Sequence, residues 1–167
     1  QRTVVETWAG WPTRTENPPV EVETLGLHAT LSLLREAAAT LDAAERAERA
    51  EAAGLESLWV SEHLVLADPR RPPSPMDPKD PILEPVVSLA FVAARTTTLR
   101  LGTGVIVLPL RNPLVLAKEL ATLDWMSNGR FVFGIGFGWN IEEMENHGTD
   151  TKRRRPLVRE KMLAMQA

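Results

Sequence analysis

The chain has 167 residues, of which 44% are hydrophobic and 25% are charged, a composition typical of an ordinary globular domain. Its formal net charge is −3 and its longest basic run is Lys152–Arg155, which argues against nucleic acid as a partner. The absence of cysteine excludes disulfides and thiolate zinc sites, and three widely separated histidines argue against a histidine metal site. No apolar run approaches the roughly 20 residues that span a bilayer. No signal-peptide pattern opens the chain, so we expect a cytoplasmic protein that does not bind membranes.

The first third of the chain predicts a strand and a helix that follow an irregular N-terminal segment. Residues 1–21 scatter tryptophan and proline among polar residues without a period, which predicts an irregular N-terminal arm. Residues 22–31 alternate weakly and are a strand candidate, and an alanine- and leucine-rich helix is expected within 32–53. Because the chain begins with Gln1 rather than methionine, we expect it to be a processed or cut product.

A short strand and a long loop come next. Leu58–Val60 predict a buried strand, and Ser61–Glu62–His63 follow at its C-terminal end. Residues 64–83 contain six prolines and predict a loop whose length is typical of a lid, a binding loop or disorder. Pro85 then opens a further helix.

Residues 99–140 predict a strand, a helix and a second strand. Residues 99–108 are apolar and β-branched, and Asn112–Pro113 is an N-cap followed by proline at the first helical position. Asn128–Gly129 supplies a helix stop, and the second strand covers 130–138. A crossover helix between two strands within about 40 residues is the βαβ unit of a parallel sheet.

The second of these strands alternates bulky and small side chains. Its two faces carry, respectively, Phe131, Phe133, Ile135 and Phe137, and Val132, Gly134, Gly136 and Gly138. The bulky face is expected to pack against helices. The glycine face favours either a space for a flat ligand or relief of crowding in a curved sheet.

Strand–helix units recur four times, near residues 25, 58, 99 and 130. Such units form either an open doubly wound sheet or a (β/α)8 barrel. A dinucleotide-binding fold would need G-x-G-x-x-G, and Trp139 stands where the run from Gly134 would need its last glycine. A barrel would need eight units and about 250 residues, and four units are present.

Polar or glycine-containing segments lie at the C-terminal ends of three of the predicted strands. They are Ser61–His63, Gly104–Arg111 and Gly138–Asn140. In a barrel the C-terminal ends of the strands lie on one rim, where the chemistry takes place. The barrel interpretation therefore brings all three segments to one site.

Three segments of the chain resemble the luciferase-like monooxygenase superfamily, and within it the oxidoreductases that use the deazaflavin coenzyme factor 420. They are AEAAGLESLWVSEH at 50–63, LRLGTGVIVLPLRNPLVLAKELATLDWMSNGR at 99–130, and GIGFGWNIEEMENHG with KRRR within 134–155. The resemblance implies an α/β fold, a partial (β/α)8 TIM barrel of about four βα units of a parallel sheet, with 22–167 as its N-terminal half. It implies hydride transfer between factor 420 and a small organic substrate, or monooxygenation with FMN as the alternative cofactor.

The resemblance also implies a catalytic pair. His63 resembles the family histidine beside the deazaflavin ring, where it would hydrogen-bond the coenzyme or donate or accept a proton. Position alone favours a histidine bonded to backbone at a strand end, and it is the resemblance that favours the functional role. Glu62 is expected either to orient His63 or to face solvent.

Further residues are expected at the cofactor. Gly104–Val105 resembles the family's non-prolyl cis peptide behind the ring, and Asn140 would contact polar groups of the coenzyme or cap a helix. Arg111 is expected to meet an anion or to be a solvated loop residue. The full expected cofactor-binding set is Gly104, Val105, Ile106, Gly138, Trp139, Asn140 and Arg111.

The second half of such a barrel is not in this sequence. Phosphate groups are usually anchored after strands seven and eight, and a four-stranded parallel sheet has unpaired edges. We therefore expect either the N-terminal half of a longer enzyme or a homodimer. The alternative function is a non-catalytic half-barrel remnant that self-associates or binds a ligand without turnover. Some sugar-phosphate dehydrogenases of the family carry glutamate where Trp139 stands, which argues against that substrate.

Overall fold

The computed structural model describes residues 3–5, 43–80 and 82–167. The strand predicted within 22–31 and the first part of the helix predicted within 32–53 lie outside the described residues. Within the predicted N-terminal arm, Thr3–Val5 form a strand, so the expectation of irregular structure is wrong there. These three residues are all β-branched, and they pair with the strand at Ser57–Val60.

The strands are β1 (Thr3–Val5), β2 (Ser57–Val60), β3 (Arg100–Thr103), β4 (Ile106–Val107), β5 (Phe131–Val132) and β6 (Ile135–Gly136). The α-helices are α1 (Ala43–Ala52), α2 (Pro85–Ala93), α3 (Pro113–Met126), α4 (Ile141–Asn146) and α5 (Arg154–Gln166). Short 3₁₀ turns cover Leu108–Leu110 and Thr151–Arg153. The predicted strand near 58, the helix from Pro85 and the helix after Asn112 are thus confirmed.

The sheet is parallel and its strands follow one another in chain order. The order is β1-β2-β3-β5, with Leu58 beside Leu101 and Leu101 beside Phe131, and a second parallel pair joins β4 to β6. A doubly wound sheet reverses its order at a switch point, whereas a barrel adds each strand beside the previous one. The observed order is that of a barrel segment, which confirms the predicted α/β class.

The core lies between this sheet and helices α1 to α3. Leu89 of α2, Leu101 of β3 and Leu116 of α3 are fully buried in it. Capping fixes where two of the helices begin, because Glu84 accepts a hydrogen bond from the Val87 amide and Asn112 caps α3. Burial of one apolar face of each helix holds the helices on the sheet.

Each of the two long predicted strands is interrupted in its middle. The peptide bond between Gly104 and Val105 is cis and separates β3 from β4. Beside this break, the Thr103 hydroxyl donates to the Gly134 carbonyl at 2.8 Å and accepts from the Gly134 amide at 2.9 Å. Between β5 and β6, hydrogen bonds of the Thr103 side chain thus replace the backbone hydrogen bonds of a regular parallel sheet.

The described ranges contain neither a membrane-spanning helix nor a cluster of metal ligands. Among residues 3–5, 43–80 and 82–167, no helix is long and apolar enough to cross a membrane. Over the same residues, no group of three or more histidine, aspartate or glutamate side chains is placed to hold a metal ion.

Candidate active site

A cavity of about 390 Å³ opens at the C-terminal ends of the strands. Its lining comes from the segments after β2 and β3, from β4, from the end of β6 and the segment after it, from α4 and from the start of α5. The residues are Ser61, Glu62, His63, Gly104, Val105, Val107, Gly136, Phe137, Gly138, Trp139, Glu143, Arg154 and Arg155. The segments that follow three strands therefore meet on one rim, as parallel strands require. The volume falls within the roughly 300–1,000 Å³ usual for small-molecule sites.

His63 is held on this rim by a carboxylate from a distant part of the chain. Its Nδ1 lies 2.9 Å from Oε2 of Glu143, and the two side chains are only 10% and 2% exposed. The Trp139 ring packs edge-on against the imidazole, with 5.3 Å between ring centroids. The contact to Glu143, rather than to backbone, fixes the orientation of the ring.

Glu143 is the site residue that sequence analysis missed. Its other oxygen, Oε1, accepts a hydrogen bond from the Leu64 amide at 2.6 Å. Asn140 and Glu143 have the spacing of a capping box, in which the glutamate side chain would accept a hydrogen bond from the backbone amide of the N-cap residue, Asn140. The capping-box spacing was the available signal in the sequence, but it predicts a contact within the helix start. In the structure the Glu143 carboxylate contacts His63 instead, 80 residues away in sequence.

Glu62 neither orients His63 nor faces solvent, so both predicted alternatives are wrong. Its carboxylate accepts hydrogen bonds from the Val107 amide at 2.6 Å and from Arg111 Nε at 2.7 Å. Burial raises the pKa of Glu62, while the Arg111 guanidinium and the Val107 amide act in the opposite direction. Glu62 thus ties the end of β2 to the segment around β4.

Arg111 is neither solvated nor part of the cavity lining. Its guanidinium pairs with Glu62 and also donates to Glu84 at 2.8 Å. Burial acts to lower the pKa of Arg111, but the two carboxylates outweigh it and raise that pKa. Its charge is therefore balanced by protein carboxylates, and a contact with a cofactor anion stays a prediction that the geometry does not favour.

The expected Gly104–Val105–Ile106 segment divides between cavity and core. Gly104 and Val105 line the cavity, and the bond between them is cis, as the resemblance implies. Ile106 is fully buried in the hydrophobic core instead. Side chains alternate along a strand, so the residue after Val105 turns inward.

Asn140 caps a helix, which was the alternative interpretation of this residue. Its Oδ1 accepts from the Glu143 amide at 3.3 Å, and its side chain is buried. It lines a second, smaller cavity of about 100 Å³ between the proline-rich loop and α4, and Trp139 borders both cavities. Its contact with a coenzyme stays a prediction.

The glycines in the strands serve close packing. A Cβ on Gly102 would lie 2.4 Å from the Trp59 ring, and a Cβ on Gly136 would lie 2.5 Å from Val105 Cγ2. Relief of crowding is therefore the interpretation that holds, and not an open face for a flat ligand. Gly138 has a φ of +77°, and it turns the chain just before Trp139 and the helix α4.

Phe137 lies in the cavity although alternation assigned it to the buried face. It is 48% exposed, because the strand ends at Gly136 and alternation no longer applies. The guanidinium of Arg155 lies 6.0 Å from the centre of its ring. Within the described ranges, no carboxylate is in ion-pair range of Arg154 or Arg155, so this wall of the cavity is positively charged.

The sheet order and the position of the cavity define the class of protein, a partial (β/α)8 barrel with a cavity at the C-terminal ends of its strands. The chain belongs to the luciferase-like monooxygenase family, whose model matches residues 24–167. Relatives of the chain include flavin- and F420-dependent oxidoreductases and monooxygenases.

Three relatives illustrate the match. An uncharacterised protein of Mycobacterium tuberculosis is 39% identical over 132 residues, which are 74% of this chain and 47% of that protein. The F420-dependent glucose-6-phosphate dehydrogenase of Amycolatopsis mediterranei is 36% identical over 110 residues, covering 65% of this chain and 31% of the enzyme. The oxygenating constituent of 3,6-diketocamphane monooxygenase from Pseudomonas putida, solved with FMN, is 26% identical with a TM-score of 0.62 and covers 74% of this chain and 32% of that one. The chain thus spans less than half the length of these proteins.

Proposed function

We propose that the protein is an oxidoreductase that transfers hydride between factor 420 and a small organic substrate, with FMN-dependent monooxygenation as the alternative. The observation that carries the proposal is the buried Glu143–His63 contact at the edge of the cavity. Relatives that use factor 420 or FMN support both cofactors.

The residues of the cavity fit such a cofactor. The rings of Phe137 and Trp139 suit a flat heterocycle, because aromatic faces permit close contact with another ring. Arg154 and Arg155 suit the anionic tail that both cofactors carry. When bound, the cofactor would donate or accept the hydride.

The chain's own groups would position the reactants and handle a proton. Because Glu143 engages Nδ1 of His63, the other ring nitrogen, Nε2, can accept or donate a hydrogen bond in the cavity. Trp139 and Val105 would shield the reacting groups from water. Arg154 and Arg155 would hold the anionic tail of the cofactor.

The test is titration of the purified 167-residue chain with factor 420 and, separately, with FMN, followed by absorbance and fluorescence. We expect saturable binding of one of them, and at least about tenfold weaker binding by His63→Ala. His147→Ala is the matched control, since His147 bonds the Glu143 carbonyl and is not in the cavity lining. Absence of a spectral change with either cofactor would refute the proposal.

One observation favours the non-catalytic alternative. In the described residues the sheet ends at β1 and β5 and is not closed into a barrel. A remnant would bind ligand without turnover. Exchange of hydride between reduced factor 420 and a substrate would exclude it, whereas binding without exchange would favour it.

We also propose that the open sheet is completed by further strands, from a second copy of the chain or from the rest of a longer one. Among the described residues no further strand pairs with β1 or β5, and this supports the proposal because unpaired parallel strands expose backbone donors and acceptors. A mass measurement in solution distinguishes the two sources. A stable dimer of the 167-residue chain supports the second copy, and a monomer supports the longer chain.

A further inference from the structure

We propose that Glu143 is a positioning residue that fixes the tautomer of His63, so that Nε2 presents a hydrogen-bond acceptor to the coenzyme. The ligand part of this inference rests on the proposed function. The tautomer part depends only on the contacts between α4 and the segment after β2. The two parts are therefore tested separately.

The two oxygens of Glu143 face two different groups. Oε1 accepts from the Leu64 amide at 2.6 Å, and that amide can only donate. Oε2 lies 2.9 Å from Nδ1 of His63. An ionised carboxylate is acceptor-only, so Nδ1 must carry the proton, and the neutral ring then has its lone pair on Nε2.

The fold holds Glu143 firmly in this place. Its side chain is 2% exposed, and its backbone amide donates to the Asn140 cap at the start of α4. Gly138, with its positive φ, sets the turn that leads into the cap. Trp139 packs edge-on against the imidazole of His63. The imidazole of His63 therefore has little freedom to flip and exchange the positions of its two nitrogens.

Glu143→Gln is a decisive test because the backbone N–H of Leu64 fixes the orientation of the new glutamine side chain. The glutamine oxygen must stay on the Leu64 amide, so the glutamine NH₂ faces Nδ1 of His63 and donates to it. The ring must then carry its proton on Nε2. The substitution keeps the shape of the side chain and reverses the tautomer.

The readout is the ¹⁵N resonances of the ring nitrogens of His63, assigned by their loss in His63→Gln. We expect a protonated Nδ1 and a bare Nε2 in the neutral ring of the wild-type protein, and the reverse in Glu143→Gln. Glu142→Gln is the matched control, because Glu142 is on the same helix and pairs with Arg71 on the surface. His147 is an internal control, since it bonds the backbone carbonyl of Glu143 and should not change.

A bare Nδ1 in the wild-type protein would overturn the inference without any variant having to fold. Titration with factor 420 and FMN then tests the ligand part. We expect Glu143→Gln to bind about tenfold more weakly than wild type, because Nε2 no longer accepts. Equal binding would overturn the acceptor role. If the wild-type protein binds neither coenzyme, the proposed function and the acceptor role fail together, whereas the tautomer result still decides what Glu143 does to His63.

Discussion

Glu62 and Arg111 form an ion pair in which the glutamate side chain has 0% exposure to solvent. The pair joins the end of β2 to the residue that follows the 3₁₀ turn after β4, and Glu84 at the start of α2 contacts the same guanidinium. Three elements that are separate in sequence are thereby fixed beside the cavity. Charged groups this deeply buried are stable only when paired and hydrogen-bonded.

Removal of the arginine should strongly destabilise the fold. We expect Arg111→Met to lower the free energy of unfolding by about 3–5 kcal/mol, because it leaves the Glu62 carboxylate buried without its partner. Urea denaturation at neutral pH measures the change. Arg95→Met is the control, since Arg95 pairs with Glu48 on the surface, and it should cost less than about 1 kcal/mol. Equal losses in the two variants would contradict the structural importance of the buried pair.

Glu51 should make the stability depend on pH. Burial acts to raise the pKa of Glu51, but hydrogen bonds from the Thr98, Leu99 and Thr97 amides and from the Thr98 hydroxyl outweigh it and lower the pKa from 4.5 to about 2. The unfolded chain therefore binds more protons than the folded one between these values. The stabilisation is fully present above pH 4.5 and is lost as the pH falls toward 2.

The variant for this test is Glu51→Gln. After allowance for its partial exposure, we expect a loss of about 1–2 kcal/mol at pH 7. The difference from wild type should shrink between pH 5 and pH 3, as followed by urea denaturation at about half-unit steps. Glu119→Gln, at an exposed position on α3, should show no such pH-dependent difference. A constant difference across the range would rule out the titration of Glu51 as its cause.

Gly134 should not tolerate a side chain. A Cβ at this position would lie 2.0 Å from the Thr103 carbonyl oxygen, which is backbone and cannot rotate away. We expect Gly134→Ala to cost about 3 kcal/mol in thermal or urea unfolding, the upper end of the usual overpacking range. Gly54→Ala separates steric from conformational cost, because Gly54 has a φ of +77° but no atom within 4 Å of a Cβ. It should cost only about 1–2 kcal/mol.

The basic wall of the cavity should contribute to cofactor affinity. We expect the double variant Arg154→Met/Arg155→Met to weaken the binding of factor 420 or FMN by about 10- to 100-fold, because charge-assisted hydrogen bonds to the anionic tail are lost. Fluorescence titration measures the change. Arg153→Met is the matched neighbour, since Arg153 pairs with Glu160 outside the cavity, and it should bind like wild type. Wild-type affinity in the double variant would place the anionic tail elsewhere.

The sequence by itself determined the local features of this protein. Asn112 before Pro113 begins α3, and Asn128 with Gly129, both at positive φ, ends it. Such features depend only on a residue's own backbone and its near neighbours, so spacing and residue type suffice to predict them. The family resemblance likewise located the cis bond between Gly104 and Val105, because that motif is contiguous in the chain.

Only the tertiary structure decided which side chains meet. Glu143 reaches His63 across 80 residues, and Glu62 turns to Arg111 rather than to its neighbour. The break between β5 and β6 likewise depends on the Thr103 hydroxyl, 31 residues from Gly134. A carboxylate or a hydroxyl can bond any donor that the fold brings to it, so its partner follows from the packing of distant segments, and no local pattern in this chain specifies it.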